Sequence, residues 1–190
     1  MAVYTHISKE HLDSILKKYD IGSQIKLTPI NSGIENTNYL LKTSIDSYIL
    51  TIFEEHISSE ELPYFIALLI LLKNKNIKSP EPIKNRKQGY ISYYKNKPLA
   101  IFSFLKGTPP LLINQDLCYQ IGTYVAHIHL ATKDFSRKRL NKLGKDHWIK
   151  SIKIILSKKP IIKNIDYNLL QNISEFIDIN WPIDLPKGTI

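Results

Sequence analysis

Cysteine occurs once in these 190 residues, at Cys118. A single thiol excludes an internal disulfide and fits a reducing compartment. Arginine is nearly as scarce, with three against 23 lysines. That imbalance weakens the nucleic-acid reading that a net charge of +9 invites, because base and phosphate readers favour arginine forks with aromatic side chains placed for stacking. Lysine, isoleucine and asparagine are abundant together, the pattern of an AT-rich coding sequence. The densest basic stretch, Lys133 to Lys163, holds 11 basic and two acidic residues. It reads as a solvated helix face plus loop, able to attract an anionic ligand. Long apolar runs are missing too. The longest, "FIALLILL" at 65–72, falls far short of the roughly 20 residues of a membrane span. The opening "MAVYTHISKEHLDS" turns polar at once, without a signal-peptide core. A cytoplasmic protein that engages neither membrane nor nucleic acid is expected.

Recognisable catalytic clusters are also absent. No Ser–His–Asp arrangement stands out, and no Cys/His set has zinc spacing. His127 and His129 lie two apart on a helical stretch, so they point in nearly opposite directions and cannot share a metal. Cys118 is expected to be a buried small residue, and Trp148 and Trp181 to be core anchors.

What is present is strong patterning. Apolar residues make up 43% of the chain, enough for one domain or two small lobes. After Ser8, a candidate N-cap, Leu12, Ile15, Leu16 and Tyr19 recur at helical spacing, and "DIGS" ends that helix. "QIKLTPI", "NTNYLLKT" and "SYILTIFEE" are short β-type runs, the last two joined by the tight turn "SID". Ser58 and Glu61 have capping-box spacing ahead of a helix from about Leu62 to Lys75, with Pro63 in its first turn. Two more strands, "GYISYY" and "PLAIFSF", flank the turn "KNK". Short connections favour an antiparallel five-stranded sheet with one helix on a face. The second half is helical. Asn114–Thr132 carries Leu117, Ile121, Val125 and Ile128 on one face, and "DHWIKSIKIILSKK" and "DYNLLQNISEFIDI" each begin at an Asp placed as an N-cap. "FLKGTPP" at 104–110 interrupts both patterns. The expected organisation is an α+β lobe over 1–105 and a helical lobe over 106–190.

This layout resembles protein-kinase-like folds. The segments "GIENTNYLL", "YILTIFE", "LPYFIALL", "PLAIFSFLKG", "IGTYVAHIHLAT" and "LPKGTI", with "AVYTHIS" and "LGKDHW", occur in the order and spacing of the aminoglycoside-phosphotransferase-like homoserine kinases. The resemblance implies transfer of the γ-phosphoryl of MgATP to the side-chain hydroxyl of L-homoserine, in threonine biosynthesis. It places the loop Asn31–Asn38 over the ATP phosphates. There Gly33 supplies conformational freedom, and Ser32, Glu35, Asn36 and Asn38 stand where a protein kinase has further glycines. Thr51 occupies the position of the third-strand lysine. Lys42 is one substitute for that charge, and Glu60 and Glu61 are the helix carboxylates nearest in sequence. Ser103, Phe104 and Leu105 form the segment that would meet adenine. In the family, "LPKGTI" precedes a loop patterned His-x-Asp-x-x-x-x-Asn that carries the catalytic base and a magnesium ligand. That pattern is absent from the 190 residues. No catalytic or metal-binding residue is therefore assigned here. The expectation is a fragment inactive alone, its magnesium ligands in a missing C-terminal part, with a separately encoded C-terminal half as one partner. The alternatives are a non-catalytic remnant or binding module of the same fold, and a kinase for another small hydroxyl or amino-alcohol substrate.

Overall fold

The computed structural model describes residues 4–54, 60–141, 143–158, 166–184 and 188. It divides into two compact units, Met1–Arg137 with Gly188–Ile190, and Lys138–Lys187.

The first unit begins with helix α1, Lys9–Leu16, capped by the Ser8 hydroxyl, which accepts from His11 N–H. Its apolar face, Leu12, Ile15 and Leu16, is buried. Tyr19 falls just past the helix rather than inside it, yet only 2% of it is exposed. Five strands follow: β1 (Gln24–Pro29), β2 (Asn36–Thr43), β3 (Ser47–Phe53), β4 (Ser92–Tyr94) and β5 (Lys97–Ser103). They form one antiparallel sheet in the order β1-β2-β3-β5-β4. The β2–β3 hairpin is closed by Thr43 N–H donating to the Asp46 carbonyl. The β4–β5 hairpin turns on Lys95 and Asn96, both at positive φ (49° and 62°), the backbone that a two-residue hairpin demands. Strand β4 covers only the last part of the "GYISYY" run.

Helix α2, Leu62–Asn74, starts with Pro63 in its first turn, where its missing N–H costs nothing. Ser58 of the expected capping box lies outside the described residues, and Glu61 at the cap position makes no side-chain capping bond.

Alternation of side chains sorts the sheet into two faces. Tyr39, Leu41, Tyr48, Leu50, Ile52, Leu99 and Ile101 share one face and pack with the buried side of α1. Phe53, Ala100 and Phe102 lie on the other, in a smaller cluster with Leu62 of α2. The sheet thus has a helix on each face, one more than the sequence pattern suggested. Helix α3, Gln115–Ala131, is capped by Asn114 and also belongs to the first unit. None of its residues is buried, and Cys118 is exposed rather than buried.

The second unit is a helical pair. Helix α4, Lys145–Ser157, starts after Gly144, so Asp146 sits in the first turn and is not the N-cap. Helix α5, Tyr167–Asn180, is capped by Asp166, whose carboxylate accepts from Leu169 N–H. Lys145 pairs with Asp178 at 2.7 Å, which holds the Asp178 carboxyl below its ordinary pKa through hydrogen bond and charge. Trp148 and Trp181 meet edge to face at 5.8 Å but stay 45% and 37% exposed. They anchor each other rather than a closed core, because two helices alone cannot surround an indole. No described helix is long and apolar enough to cross a membrane.

Candidate nucleotide site

The register places three of the expected site residues together. Asn36 pairs with Phe53, Asn38 with Thr51, and Thr51 with Ala100. Asn36, Asn38 and Thr51 therefore share the face that carries α2. Thr51 donates its hydroxyl hydrogen to Asn38 Oδ1 at 2.8 Å. That bond orients the Asn38 amide, leaving its NH₂ group as a donor. Asn36 Oδ1 is buried and finds no hydrogen-bond partner among the described residues. A buried acceptor left open in this way marks a place where an arriving donor is stabilised.

The loop leading into β2 is exposed from Asn31 to Glu35. Gly33 has φ +135° and open space where a Cβ would stand. The glycine is therefore required by backbone conformation, not by crowding. Ser32 and Glu35 are exposed on the same loop. Its base is closed by Ile30 N–H donating to the Asn38 carbonyl at 2.9 Å.

The end of β5 splits the remaining three residues. Ser103 faces away from α2: its neighbour in register is Tyr48, and its hydroxyl accepts from Glu81 N–H at 2.8 Å. The Ser103 and Phe104 N–H groups are also engaged, with the carbonyls of Glu81 and Ser47. Leu105 is the member of the trio whose N–H makes no hydrogen bond among the described residues. The Phe104 and Leu105 side chains are 38% and 40% exposed. The side chain of Ser103 is thus not brought to the others, while the backbone of Leu105 and the two apolar side chains remain available.

Lys42 does not stand in for a third-strand lysine. It is exposed and pairs with Ser47 at the opposite end of β2 from the loop, about 13 Å along the strand from Asn38 at 3.3 Å per residue. A lysine–carboxylate pair does exist, on the other face. Lys97 of β5 pairs with Glu54, just past β3. Glu54 also accepts from the Thr37 hydroxyl at 2.7 Å, and Lys97 donates to Thr5 Oγ1 at 2.9 Å. Burial alone would raise the Glu54 pKa. Hydrogen bonds from Lys97, Thr37 and Thr5, with the Lys97 charge, outweigh it and hold the carboxyl below its ordinary value. Neither residue stood out in the sequence. The available signal was the acidic residue directly after an apolar strand, facing a lysine at the start of another.

A concavity of about 570 Å³ lies elsewhere, lined by Asp13, Tyr19, Asp20, Gln24 and Arg86 among others. It contains none of the expected site residues, and Arg86 and Asp20 satisfy each other at 2.8 Å. Among the described residues no group of three or more His, Cys, Asp or Glu side chains comes together.

Comparison with known proteins decides the family. The model of the phosphotransferase enzyme family (APH) matches residues 26–158. The chain belongs to that family. It is 36% identical over all 190 residues to the homoserine kinase of Rhodopseudomonas palustris (strain BisB18), covering 58% of that protein. It is 35% identical, again over its whole length and 58% of the relative, to the homoserine kinase of Paramagnetospirillum magneticum (strain ATCC 700264 / AMB-1). The chain thus spans a little under three-fifths of the curated relatives it matches. Among solved structures, AMP-bound spectinomycin phosphotransferase superposes with a TM-score of 0.60 at 16% identity, covering 92% of this chain and 54% of that one. A microcompartment-associated aminopropanol kinase gives 0.54 at 15%, covering 80% and 57%. The fold is that of the protein-kinase-like phosphotransferases, with the antiparallel sheet complete before helices α3 to α5.

Proposed function

We propose that this chain is the nucleotide-binding part of an ATP-dependent kinase whose acceptor is the side-chain hydroxyl of L-homoserine. The observation that carries the nucleotide reading is the polar row Asn36, Asn38 and Thr51 on the α2 face. The Gly33 loop lies at one end of it and the exit of β5 toward the other. The loop offers backbone N–H groups to phosphate oxygens. Thr51 turns the Asn38 amide so that its NH₂ donates to them. Neutral donors then do part of what a third-strand lysine does elsewhere. Phe104 and Leu105 sandwich the adenine, and the Leu105 backbone meets its edge. The lobe boundary at 105/106 is part of this reading: residues 1–105 hold the nucleotide, and the helices after it serve the acceptor. The acceptor is inferred from the named activity of the curated relatives.

Phosphoryl transfer depends on positioning and on neutralising charge. The base and magnesium ligands implied by the His-x-Asp-x-x-x-x-Asn pattern are not among these 190 residues. ATP binding without turnover is therefore expected of the chain by itself. Two measurements test this on the purified 190 residues. ATP titration followed by amide resonances is expected to shift residues 31–38, Thr51 and 104–105; no shift anywhere in the first 110 residues would overturn the nucleotide reading. A coupled ADP-release assay is expected to show no homoserine-dependent rate, and turnover by the chain alone would overturn the second part. Restoring the remaining length of a relative should bring activity with homoserine. Activity with another amino alcohol instead would reassign the acceptor.

A further inference from the structure

The loop over the expected phosphate site has one glycine, and its own side chains make no ion pair among the described residues. The segment before α1 reaches it through hydrogen bonds. Tyr4 donates its phenol hydrogen to the Ile34 carbonyl at 3.0 Å. The Tyr4 and Thr5 N–H groups both donate to Thr37 Oγ1, at 2.9 and 3.1 Å. Thr37 is fully buried and passes its own hydrogen to Glu54, which is locked to Lys97. Lys97 returns to Thr5 through its hydroxyl. Tyr39 OH donates to the Thr5 carbonyl at 2.9 Å, and Tyr94 OH to the His6 carbonyl at 3.2 Å. Six polar groups of Tyr4–His6 are therefore bonded to the loop, the sheet or its edge.

The placement matters because Thr37 lies between Asn36 and Asn38 on β2, with its side chain on the opposite face. Whatever fixes Thr37 on the α1 face fixes its two neighbours on the α2 face. Tyr4, 55% exposed, adds a second hold at Ile34, one residue from the glycine. We propose that residues Tyr4–His6 form a clasp that holds the 31–35 loop in its nucleotide-ready shape. Tyr4 is its positioning residue, and the Thr37–Glu54–Lys97 chain is its anchor. The proposal rests on the nucleotide reading above only for what the loop holds, not for the clasp itself.

The test uses Tyr4→Phe, which removes one exposed hydroxyl and no core contact. Loss of one hydrogen bond is expected to speed exchange of the Thr5 and Ile30 amides about three- to tenfold, with the Leu12–Leu16 amides of α1 unchanged. ATP affinity should fall by a similar factor and adenosine affinity should not, because the clasp acts on the phosphate loop. Thr37→Val should show both effects more strongly, and Thr37→Ser, which keeps the hydroxyl, should restore wild-type behaviour. Wild-type exchange at Thr5 and Ile30 in Tyr4→Phe would overturn the clasp. Faster exchange with ATP and adenosine weakened equally, or with neither weakened, would overturn its role toward phosphate. A wild-type chain that binds no ATP would overturn the nucleotide reading and this role together, and the exchange result would still decide the clasp.

Discussion

At the scale of single residues, two side chains carry separable predictions. Thr51 is 7% exposed and spends its hydroxyl on Asn38. Thr51→Val keeps the shape but leaves the Asn38 acceptor without its donor and frees the amide to turn over. A stability loss of about 1 kcal/mol is expected, read by urea unfolding, together with weaker ATP binding. Unchanged ATP affinity would show that the Asn38 orientation is irrelevant to the ligand. Glu54 predicts a pH effect. Its folded pKa is depressed, so its stabilising contribution is fully present above the unfolded value of about 4.3. It is lost as pH falls through the folded value. The stability difference between wild type and Glu54→Gln should therefore be constant near neutrality and shrink below about pH 4. A difference that stays flat down to pH 3 would mean that the carboxylate is not the stabilised form. Neither Glu54 nor Lys97 was legible in the sequence, since only the strand register brings positions 43 residues apart into contact.

At the scale of elements, strand β3 is the centre of the sheet, flanked by β2 and β5. Its four residues Leu50–Phe53 are all buried, consistent with cover on both faces. Leu50 is fully buried beside Leu41 and Ile101. Leu50→Ala should cost about 2–5 kcal/mol, visible as a large drop in the denaturation midpoint. A loss under about 1 kcal/mol would mean that the core around β3 collapses into the gap. The elements themselves were largely readable: branched and aromatic runs became β1, β2, β3 and β5, and helical spacing became α1 to α5. The errors are all readings from local signals. Tyr19 follows helical spacing, the α4 cap follows the preference of Asp for a cap, and Cys118 follows the usual burial of cysteine; local signals of this kind do not say where a helix starts or stops or whether anything covers it.

At the scale of the whole molecule, burial is uneven. The sheet and its α1 face hold most of the core, while α3, α4 and α5 contain no buried residue. Leu111, Leu112, Tyr119, Leu130, Phe176 and Ile179 are each more than 60% exposed. Exposed apolar surface on this scale favours self-association or capture of a partner. The 190-residue chain is expected to bind an apolar-surface dye and to associate as its concentration rises, by light scattering. A monodisperse solution at high concentration without dye binding would contradict this.

The sequence by itself determined the family, the alternation of strands and helices, and the single-glycine loop before β2, because local propensity and motif order need no partner to be read. Only the tertiary structure decided which of the expected site residues meet. Strand register set Asn36, Asn38 and Thr51 on one face and turned Ser103 to the other, and it left Lys42 at the wrong end of its strand. It also joined Tyr4, Thr37, Glu54 and Lys97, drawn from four separate segments, into one hydrogen-bonded chain. Such pairings depend on which strands lie side by side, and that is settled by burial of the whole sheet rather than by any stretch of it.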